Sequence, residues 1–430
     1  MRRIAADEHP SPGEQASRGA PYDASARVLV PGPPDPADVD ADVADRVGRV
    51  LAHELGERVA AAAAIDAVFA RDLAERVARF TLGGGKRTRS QFLWWGLRAT
   101  GGGRSAEEVH AALRIAAAVE LLQTCALVHD DVMDGSALRR GQPAVHLDLD
   151  AQYRCARRSG AAEPFGRAAA VLVGDLALAW ADDTVAATAL PGDTSRGVRV
   201  LWQAMRTEMV AGQYLDLHGQ TTGARSAARA LRTARLKSAL YSVERPLALG
   251  AALAGADEET TRALCAAGRQ AGIAFQLRDD LHGVFGDPAC TGKPTGEDIR
   301  DGKPNYLIAV ARDRAEAAQD RQALALLETA VGDPRLSDGD LDRVRDLLVA
   351  TGARAAVEHR IEELAADSAR FLAGATRVGP AARARLLDLF QRAAGVRPDG
   401  RSVHHAPHPQ DRPAAAGPGP REAAAAGDHR

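Results

Sequence analysis

The sequence has few aromatic residues and almost no excess of charge of either sign. Phe, Trp and Tyr make up 4% of the 430 residues, whereas hydrophobic residues make up 46% and are mainly Ala, Leu and Val. Small aliphatic side chains favour closely packed helices and disfavour an all-β sandwich. Lys and Arg number 55 against 57 Asp and Glu, a formal net charge of −2. This balance argues against a protein that binds nucleic acid through bulk positive charge.

The sequence also lacks paired cysteines and long uncharged apolar runs. Its four cysteines are widely spaced without a CxxC pair, which argues against a zinc site and against a disulfide framework. No apolar run of about 18 or more residues is free of charge, and the first residues lack the apolar region of a signal peptide. We therefore expect no transmembrane segment and a cytoplasmic location.

Proline is concentrated at the two ends of the chain. Thirteen of the 22 prolines lie in residues 1–40 and 396–430, where no hydrophobic period is present. This composition predicts two disordered tails. Between them, residues 41–395 show no linker-like composition, so we expect one large all-α domain.

Helical patterns cover most of this domain, and no alternating strand pattern is evident. Residues 107–134 contain neither Gly nor Pro and are followed at once by Gly135, which predicts one long helix and its end. Residues 148–166 are predicted to form an inter-helix loop. Further helices are predicted over 167–189, 195–217, 227–253, 258–284 and 305–330, with three shorter ones extending to residue 394.

Two acidic clusters end apolar helical runs. At about 100° per residue, Asp130, Asp131 and Asp134 share one face of the first helix. Asp279 and Asp280 end a similar run 149 residues later (279 − 130). One such cluster alone is also typical of a solvated acidic helix end. Two clusters among apolar residues favour divalent cations with oxygen ligands, and Mg²⁺ completes its shell with water and substrate phosphates.

Basic residues accompany both acidic clusters. Residues 83–89 place three cations after three glycines, a composition suited to close backbone approach and phosphate contact. Each basic residue alone is also typical of a solvated surface charge, but their joint placement beside the clusters favours phosphate binding. The other basic residues of this set are Arg139, Arg140, Lys237, Lys293 and Lys303.

These motifs together give the sequence a clear resemblance. It resembles the trans-isoprenyl diphosphate synthases of the polyprenyl synthetase family, and geranylgeranyl diphosphate synthases in particular. The resemblance covers about residues 41–395. Its motifs are, in order, GGGKRTR, HDDVMD followed by RRG, GQYLDL, KSALYSVERPL, and FQLRDDLHGVFGD followed by TGKPTGEDIRDGK.

The resemblance implies a fold, an activity and partners. The fold is a single helical bundle around a deep central cavity, assembled as a homodimer. The activity is Mg²⁺-dependent condensation of an allylic diphosphate (dimethylallyl, geranyl or farnesyl) with isopentenyl diphosphate, with three Mg²⁺ ions in each active site. Proton loss in such enzymes is assigned to the released diphosphate, which agrees with the absence of a catalytic triad. An apolar cavity wall would keep water from the allylic cation.

The resemblance also assigns roles to residues. The metal ligands are Asp130, Asp131 and Asp134, with Asp279 and Asp280 across the cavity. The allylic diphosphate is held by Arg139, Lys237, Lys293 and Lys303, and Lys237 is counted with the aspartates as catalytic. The metal-free diphosphate of the second substrate is held by Lys86, Arg89 and Arg140, with Gln123 nearby. Ser238 and Gln276 are supporting polar residues.

One departure and two alternatives accompany this assignment. The second motif commonly reads DDxxD, but here Gly283 stands in the fifth place and leaves two carboxylates on that side.

A class I terpene cyclase would share the fold and the first motif, but it has no use for Lys86, Arg89 and Arg140. A non-catalytic subunit of a heteromeric synthase would be expected to lose an aspartate motif.

The sequence also bears on product length. The growing chain is expected to run along the helix that ends at Asp130, past Ala126 and Cys125, which lie about 6–7 Å upstream. Neither is bulky, so we expect extension past C15, and C20 is the favoured product. The alternative is that these small residues serve only helix packing.

Overall fold

Helices form nearly all of the structure, a computed structural model that describes residues 35–154, 165–223, 226–286, 295–303 and 305–396. The predicted all-α class is confirmed. Lys293 and most of both predicted tails lie outside the described residues. The N-terminal half contains α1 (Pro36–Ala41), α2 (Val43–Ile65), α3 (Ala67–Phe69), a π-helical turn π1 (Ala70–Ala74), α4 (Glu75–Leu82), α5 (Thr88–Ala99), α6 (Ala106–Asp134), β1 (Leu138–Arg139), β2 (Gln142–Pro143), α7 (Val145–Gln152) and α8 (Phe165–Ala186).

The described part of the C-terminal half consists of helices joined by turns and short loops. Residues 227–253 form one continuous helical run, as predicted, although its middle is π-helical. The elements are α9 (Gly192–Thr222), α10 (Ala227–Ala234), π2 (Arg235–Glu244), α11 (Arg245–Leu253), α12 (Glu258–Phe285), α13 (Glu297–Arg300), α14 (Tyr306–Ala317), α15 (Arg321–Ala330), α16 (Asp338–Ala350), α17 (Ala353–Gly374) and α18 (Pro380–Ala394).

The long helix predicted from the sequence is α6, and local chemistry sets both of its ends. At the start, the Ser105 side chain accepts the backbone N–H of Glu108, which is an N-cap bond. At the end, Gly135 adopts the left-handed conformation with φ of 65°, which a glycine tolerates without steric cost. By length and composition α6 could cross a membrane, yet 72% of its most apolar window is buried inside the bundle. Its apolar character is therefore accounted for by its central position.

Two hydrophobic cores meet along α12. The larger one contains side chains from the N-terminal helices and from the first half of α12, such as Leu264 and Ala271. The smaller one contains Leu277, Leu281 and Val284 from the second half of α12, packed against the helices that follow. The two halves of α12 therefore belong to different cores.

Glycines let π2 approach its neighbours closely. A Cβ on Gly212 of α9 would lie 2.5 Å from the backbone nitrogen of Lys237, and one on Gly272 of α12 would lie 2.6 Å from the Ala239 Cα. Both distances are too short for any side chain, so these two positions require glycine. The segment that carries Lys237 is consequently held between two helices at backbone contact distance.

Three local predictions were wrong. The helix predicted over 305–330 is two helices, because the chain turns at Gln319 with φ of 55°. Residues 148–152, predicted as loop, form the end of α7. The strands β1 and β2 were not anticipated, since two-residue strands show no alternation; they pair antiparallel, with Arg139 opposite Gln142.

The predicted boundary of the N-terminal tail at residue 40 falls inside α1. Val39 is fully buried, and Asp40 accepts hydrogen bonds from Trp94 Nε1 at 2.8 Å and from Arg98 Nη2 at 3.0 Å. These contacts attach α1 to α5. Helix α1 is therefore part of the folded domain.

We expect removal of residues 1–41 to lower the melting temperature clearly, whereas removal of residues 1–34 changes it little. The larger deletion exposes the apolar surface that Val39 covers and leaves the Trp94 and Arg98 donors without their carboxylate, a loss of about 1–3 kcal/mol. Thermal unfolding followed by circular dichroism measures the difference. Equal melting temperatures for the two truncated proteins would show that α1 contributes nothing to stability.

Candidate active site

A polar cavity of about 380 Å³ lies between the end of α6 and the end of α12. It joins the two acidic clusters predicted from the sequence, because Asp130 lines one side and Asp279 and Asp280 line the other. Predicted cations line it as well. The predicted site residues in its wall are Asp130, Arg139, Lys237, Ser238, Gln276, Asp279, Asp280 and Lys303.

Cations neutralise the first acidic cluster. Lys237 Nζ lies 3.2 Å from Asp130 Oδ1 and 2.6 Å from Asp216 Oδ2. Arg139 Nε donates to both carboxylate oxygens of Asp131 at 2.9 and 3.1 Å, and its Nη2 donates to Asp130 Oδ2 at 3.2 Å. Burial opposes ionisation of Asp130, but the charges of Lys237 and Arg139 outweigh it and lower the pKa of that carboxyl below its ordinary value.

Lys303 connects the two walls of the cavity. Its Nζ lies 2.9 Å from Asp134 Oδ2 and 3.4 Å from Asp298 Oδ1. Burial and the neighbouring charge of Asp130 raise the pKa of Asp134, against the attraction of Lys303. The Asp134 Oδ1 atom is buried and has no hydrogen-bond partner. A carboxylate oxygen in that position is suited to a cation ligand.

A hydrogen-bonded chain extends to the second acidic cluster. The Ser238 hydroxyl contacts Gln276 Oε1, and Gln276 Nε2 donates to Asp280 Oδ1 at 2.9 Å. Burial raises the pKa of Asp280 to about 8, and the neighbouring Asp298 and Asp279 charges act in the same direction. A divalent cation at this wall would favour the ionised carboxylate.

The carboxylates suit metal ions that share their coordination with a substrate. Among the described residues, no three acidic, His or Cys side chains converge closely enough to hold an ion on their own. Mg²⁺ is commonly held by one or two carboxylates, with water and phosphate oxygens completing six positions. The dispersed carboxylates of Asp130, Asp134 and Asp279, together with the unpartnered Asp134 oxygen, fit this mode.

A second, apolar cavity of about 420 Å³ adjoins the polar one. The two share Asp130, Lys237 and Ser238 in their walls. The apolar wall comes mainly from α6 and α9 and includes Ala126, Leu127, Met133, Met209, Val210, Tyr214 and Leu217. A molecule with a charged head and a hydrocarbon tail would fit across the shared boundary.

Of the two residues predicted to set product length, only Ala126 lines this cavity. Cys125 is 2% exposed and lies in the larger core, with its Sγ 3.7 Å from His129 Nδ1. Burial raises the pKa of its thiol to about 12. The expectation that both side chains border the growing chain is therefore corrected for Cys125.

The glycine-rich segment and Arg140 form a separate basic group. If Gly85 had a Cβ, that atom would lie 3.3 Å from Arg140 Nη2, so the guanidinium packs closely against the glycine backbone. The Nη1 atom of Arg140 donates to the Phe80 carbonyl at 3.2 Å. Arg89 Nη2 donates to Ser242 at 2.7 Å, and its Nε is buried without a partner. Lys86 is exposed. Arg89 and Gln123 both line the apolar cavity.

Arg87 is the cation between Lys86 and Arg89 in the GGGKRTR segment, and its side chain is turned away from solvent. It is 8% exposed, has φ of 44°, and its guanidinium lies 3.5 Å from Glu120 Oε2 and 3.1 Å from the Thr81 carbonyl. A non-glycine residue in the left-handed region carries backbone strain. The buried ion pair with Glu120 therefore fixes this segment to α6 instead of offering a phosphate ligand.

Four acidic residues of the cavity wall were missed by the sequence analysis, namely Asp216, Glu297, Asp298 and Asp301. Asp216 holds Lys237, and Asp298 contacts Lys303. Both stand inside motifs that were quoted, GQYLDL and TGEDIRDGK, but outside the two aspartate pairs that were taken as acidic clusters. The signal that could have found them is an Asp in a segment that also carries glycine or a site lysine.

Comparisons with known proteins agree with this geometry. The polyprenyl synthetase family matches residues 71–337. A geranylfarnesyl diphosphate synthase of Aeropyrum pernix is 33% identical over 281 residues, which are 64% of this chain and 79% of that protein. A geranylgeranyl diphosphate synthase of Mycobacterium tuberculosis is 33% identical over 274 residues, 62% of this chain and 69% of that protein.

A solved structure extends the similarity to most of the fold. The crystal structure of geranylgeranyl pyrophosphate synthase from Corynebacterium glutamicum, complexed with isoprenyl diphosphate and magnesium, matches with a TM-score of 0.76 at 37% identity. The match covers 82% of this chain and 99% of that one. Since the family match spans more than half of the sequence and includes both acidic clusters, the chain belongs to the polyprenyl synthetase family.

Proposed function

We propose that the protein is a trans-prenyltransferase that uses Mg²⁺ to join an allylic diphosphate to isopentenyl diphosphate. The observation that supports this most directly is the shared boundary of the two cavities at Asp130, Lys237 and Ser238. Carboxylate and ammonium groups on one side of this boundary suit a diphosphate, and the apolar wall on the other side suits a hydrocarbon tail. Membership of the family and the names of the relatives support the same reaction.

In the proposed reaction the allylic C–O bond breaks, and the double bond of isopentenyl diphosphate attacks the resulting cation. Loss of a proton then gives the longer diphosphate. Asp130, Asp134 and Asp279 would hold Mg²⁺, and the chemistry that this ion would supply is neutralisation of the charge on the leaving diphosphate. Lys237, Arg139 and Lys303 line the same cavity and would bind the same diphosphate through their N–H donors. The apolar wall excludes water, which would otherwise capture the cation.

The second substrate would bind at the basic group formed by Lys86, Arg89 and Arg140. This group distinguishes the proposal from a terpene cyclase, which binds a single diphosphate. The intact first acidic cluster, with its cationic partners, argues against a subunit that only binds. Incubation with Mg²⁺, isopentenyl diphosphate and allylic diphosphates, followed by chain-length analysis of the products, tests the function. Absence of any elongated product with every primer would refute it.

We expect Arg89→Ala and Arg140→Ala to raise the KM for isopentenyl diphosphate at least about tenfold, with a much smaller change for the allylic primer. The reason is that neutral oxygen atoms hold both guanidinium groups: Arg89 donates to the Ser242 hydroxyl and Arg140 donates to the Phe80 carbonyl. Lys237→Ala should show the opposite pattern, because Lys237 contacts Asp130 at 3.2 Å. Steady-state kinetics with each substrate varied in turn measures both effects. Equal changes in the KM values for both substrates would contradict the assignment of Arg89 and Arg140 to isopentenyl diphosphate and of Lys237 to the allylic diphosphate.

The proposed product is geranylgeranyl diphosphate, C20. The described α6 wall of the apolar cavity holds no Phe, Tyr or Trp, and Ala126 stands there, so the chain is not stopped at C15 by a bulky hydrophobic ring on this helix. The same chain-length analysis tests this choice.

We also infer a homodimer that closes the apolar cavity. Large apolar side chains are exposed on α8 and α9, and two of them, Val210 and Tyr214, are each 62% exposed although they line the cavity. A second copy packed on these helices would bury them, as expected for an exposed apolar patch. Light scattering after size exclusion should give twice the monomer mass, and Val210→Arg should reduce it to that of one chain.

A further inference from the structure

The fifth position of the second acidic cluster has no side chain, yet a carboxylate fills the space beside it. A Cβ on Gly283 would lie 2.9 Å from Asp298 Oδ2 and 3.8 Å from Asp298 Cγ. Apart from the adjacent residues and the backbone of its own helix, no other atom of the described residues lies within 4 Å of that point. The Asp298 carboxylate therefore stands where the side chain of a residue at position 283 would begin.

Backbone contacts fix Asp298 in this place. The Gly296 N–H donates to the Gly283 carbonyl at 2.8 Å, which joins the start of α13 directly to the end of α12. Gly296 has φ of 84°, a left-handed conformation that glycine adopts without strain. The Lys303 N–H then donates to the Asp298 carbonyl at 3.0 Å. Asp298 is thus held between two backbone bonds at the cavity wall.

A cationic group already occupies the space between Asp298 and the first acidic cluster. Lys303 Nζ lies 3.4 Å from Asp298 Oδ1 and 2.9 Å from Asp134 Oδ2. The Asp134 side chain is 4% exposed, and its Oδ1 has no hydrogen-bond partner. Carboxylates from both walls therefore converge on a position that is suited to positive charge, and one buried oxygen there is still free to accept a ligand.

We propose that Asp298 supplies the third carboxylate of the second acidic cluster, in place of the side chain that Gly283 lacks. The proposal depends on the proposed function, because it concerns the Mg²⁺ that this function requires. With Asp279 and Asp280 it restores three carboxylates to the α12 side of the cavity, either as a direct ligand or through a metal-bound water. Gly283 is then required for space, since a side chain there would collide with Asp298.

An exchange of the two side chains tests this inference without turnover. Binding of Mn²⁺, a spectroscopic substitute for Mg²⁺, is measured by electron paramagnetic resonance in the presence of inorganic diphosphate. We expect Asp298→Ala to weaken binding of at least one ion about tenfold or more, the size typical of lost metal-supporting groups. Gly283→Asp alone should also weaken it, because two carboxylates would compete for one place. The double variant Gly283→Asp/Asp298→Ala should recover most of the affinity.

Asp301→Ala is the matched control. Asp301 lies three residues further along the same segment, and its carboxylate also faces Lys303, at 3.9 Å. Loss of this charge should change Mn²⁺ affinity much less than loss of Asp298. Circular dichroism confirms folding, and Asp298→Asn provides an isosteric variant should the alanine variant not fold.

The possible outcomes are distinct. Unchanged Mn²⁺ binding in a folded Asp298→Ala or Asp298→Asn protein would overturn the inference, and so would a folded double variant that recovers no affinity. Failure of the proposed function would instead appear as wild-type protein that binds Mn²⁺ and diphosphate but forms no elongated product.

Discussion

Asp130→Asn and Asp279→Asn are each expected to lower kcat by about 100-fold or more while the helical content stays the same. Each change removes one negative charge from a wall of the polar cavity and keeps the shape of the side chain. The diphosphate leaves readily only when its charge is neutralised, and loss of one stabilising group typically costs about 100- to 1,000-fold in kcat. Single-turnover kinetics with the allylic substrate measures the effect on the chemical step.

A matched control separates loss of a ligand from loss of charge in general. Asp346 is exposed on α16, in the C-terminal part of the bundle, and does not line the polar cavity. Asp346→Asn should retain wild-type turnover. Near-normal turnover of Asp130→Asn or Asp279→Asn, with activity that EDTA still abolishes, would contradict the assignment of these residues as metal ligands.

Ala126→Phe is expected to change the main product from C20 to C15. The new ring would project from α6 into the apolar cavity between Leu127 and the α9 wall, and would shorten the space available to the growing chain. Analysis of the reaction products by chain length gives the result directly. If the variant folds and makes the wild-type product, the α6 wall does not set chain length and another helix does.

Cys125→Phe, at the adjacent position, is the informative comparison for Ala126→Phe. Its side chain is 2% exposed in the larger core, so a phenyl ring there overpacks the core at a cost of about 1–3 kcal/mol. We expect a lower melting temperature and a product distribution closer to wild type than that of Ala126→Phe. The two adjacent substitutions thus separate a cavity effect from a packing effect.

The sequence predicted much of the fold and eight of the residues that line the polar cavity, because both depend on patterns that are local in the chain. The apolar run before Asp130 and the glycine after Asp134 predicted α6 and its end correctly. The Asp pairs and the lysines next to glycines were visible as motifs. The structure brings Asp130, Asp279, Lys237 and Lys303 to one cavity as expected.

What the sequence did not reveal depends on contacts between distant segments. Asp216 stands alone as an acidic residue in its segment of α9, and its role is visible only because the folded chain brings Lys237 Nζ within 2.6 Å of it. Arg87 belongs to a basic motif, but the buried Glu120 of α6 turns it inward. Cys125 and Ala126 are equally small neighbours, and only the packing of α8 and α9 decides which one faces the cavity. These side-chain orientations depend on tertiary packing and produce no periodic pattern in the sequence.

The division of the hydrophobic interior along α12 has a consequence for cooperativity. One wall of the cavity is anchored in the larger core through α6, and the opposite wall is anchored in the smaller core through the second half of α12. A ligand that contacts both walls therefore links two bodies of apolar packing. Its binding free energy adds to the stability of the native state by mass action. When the site is filled, unfolding of either core disrupts the ligand's contacts with that wall. The ligand therefore couples the unfolding of one core to the unfolding of the other.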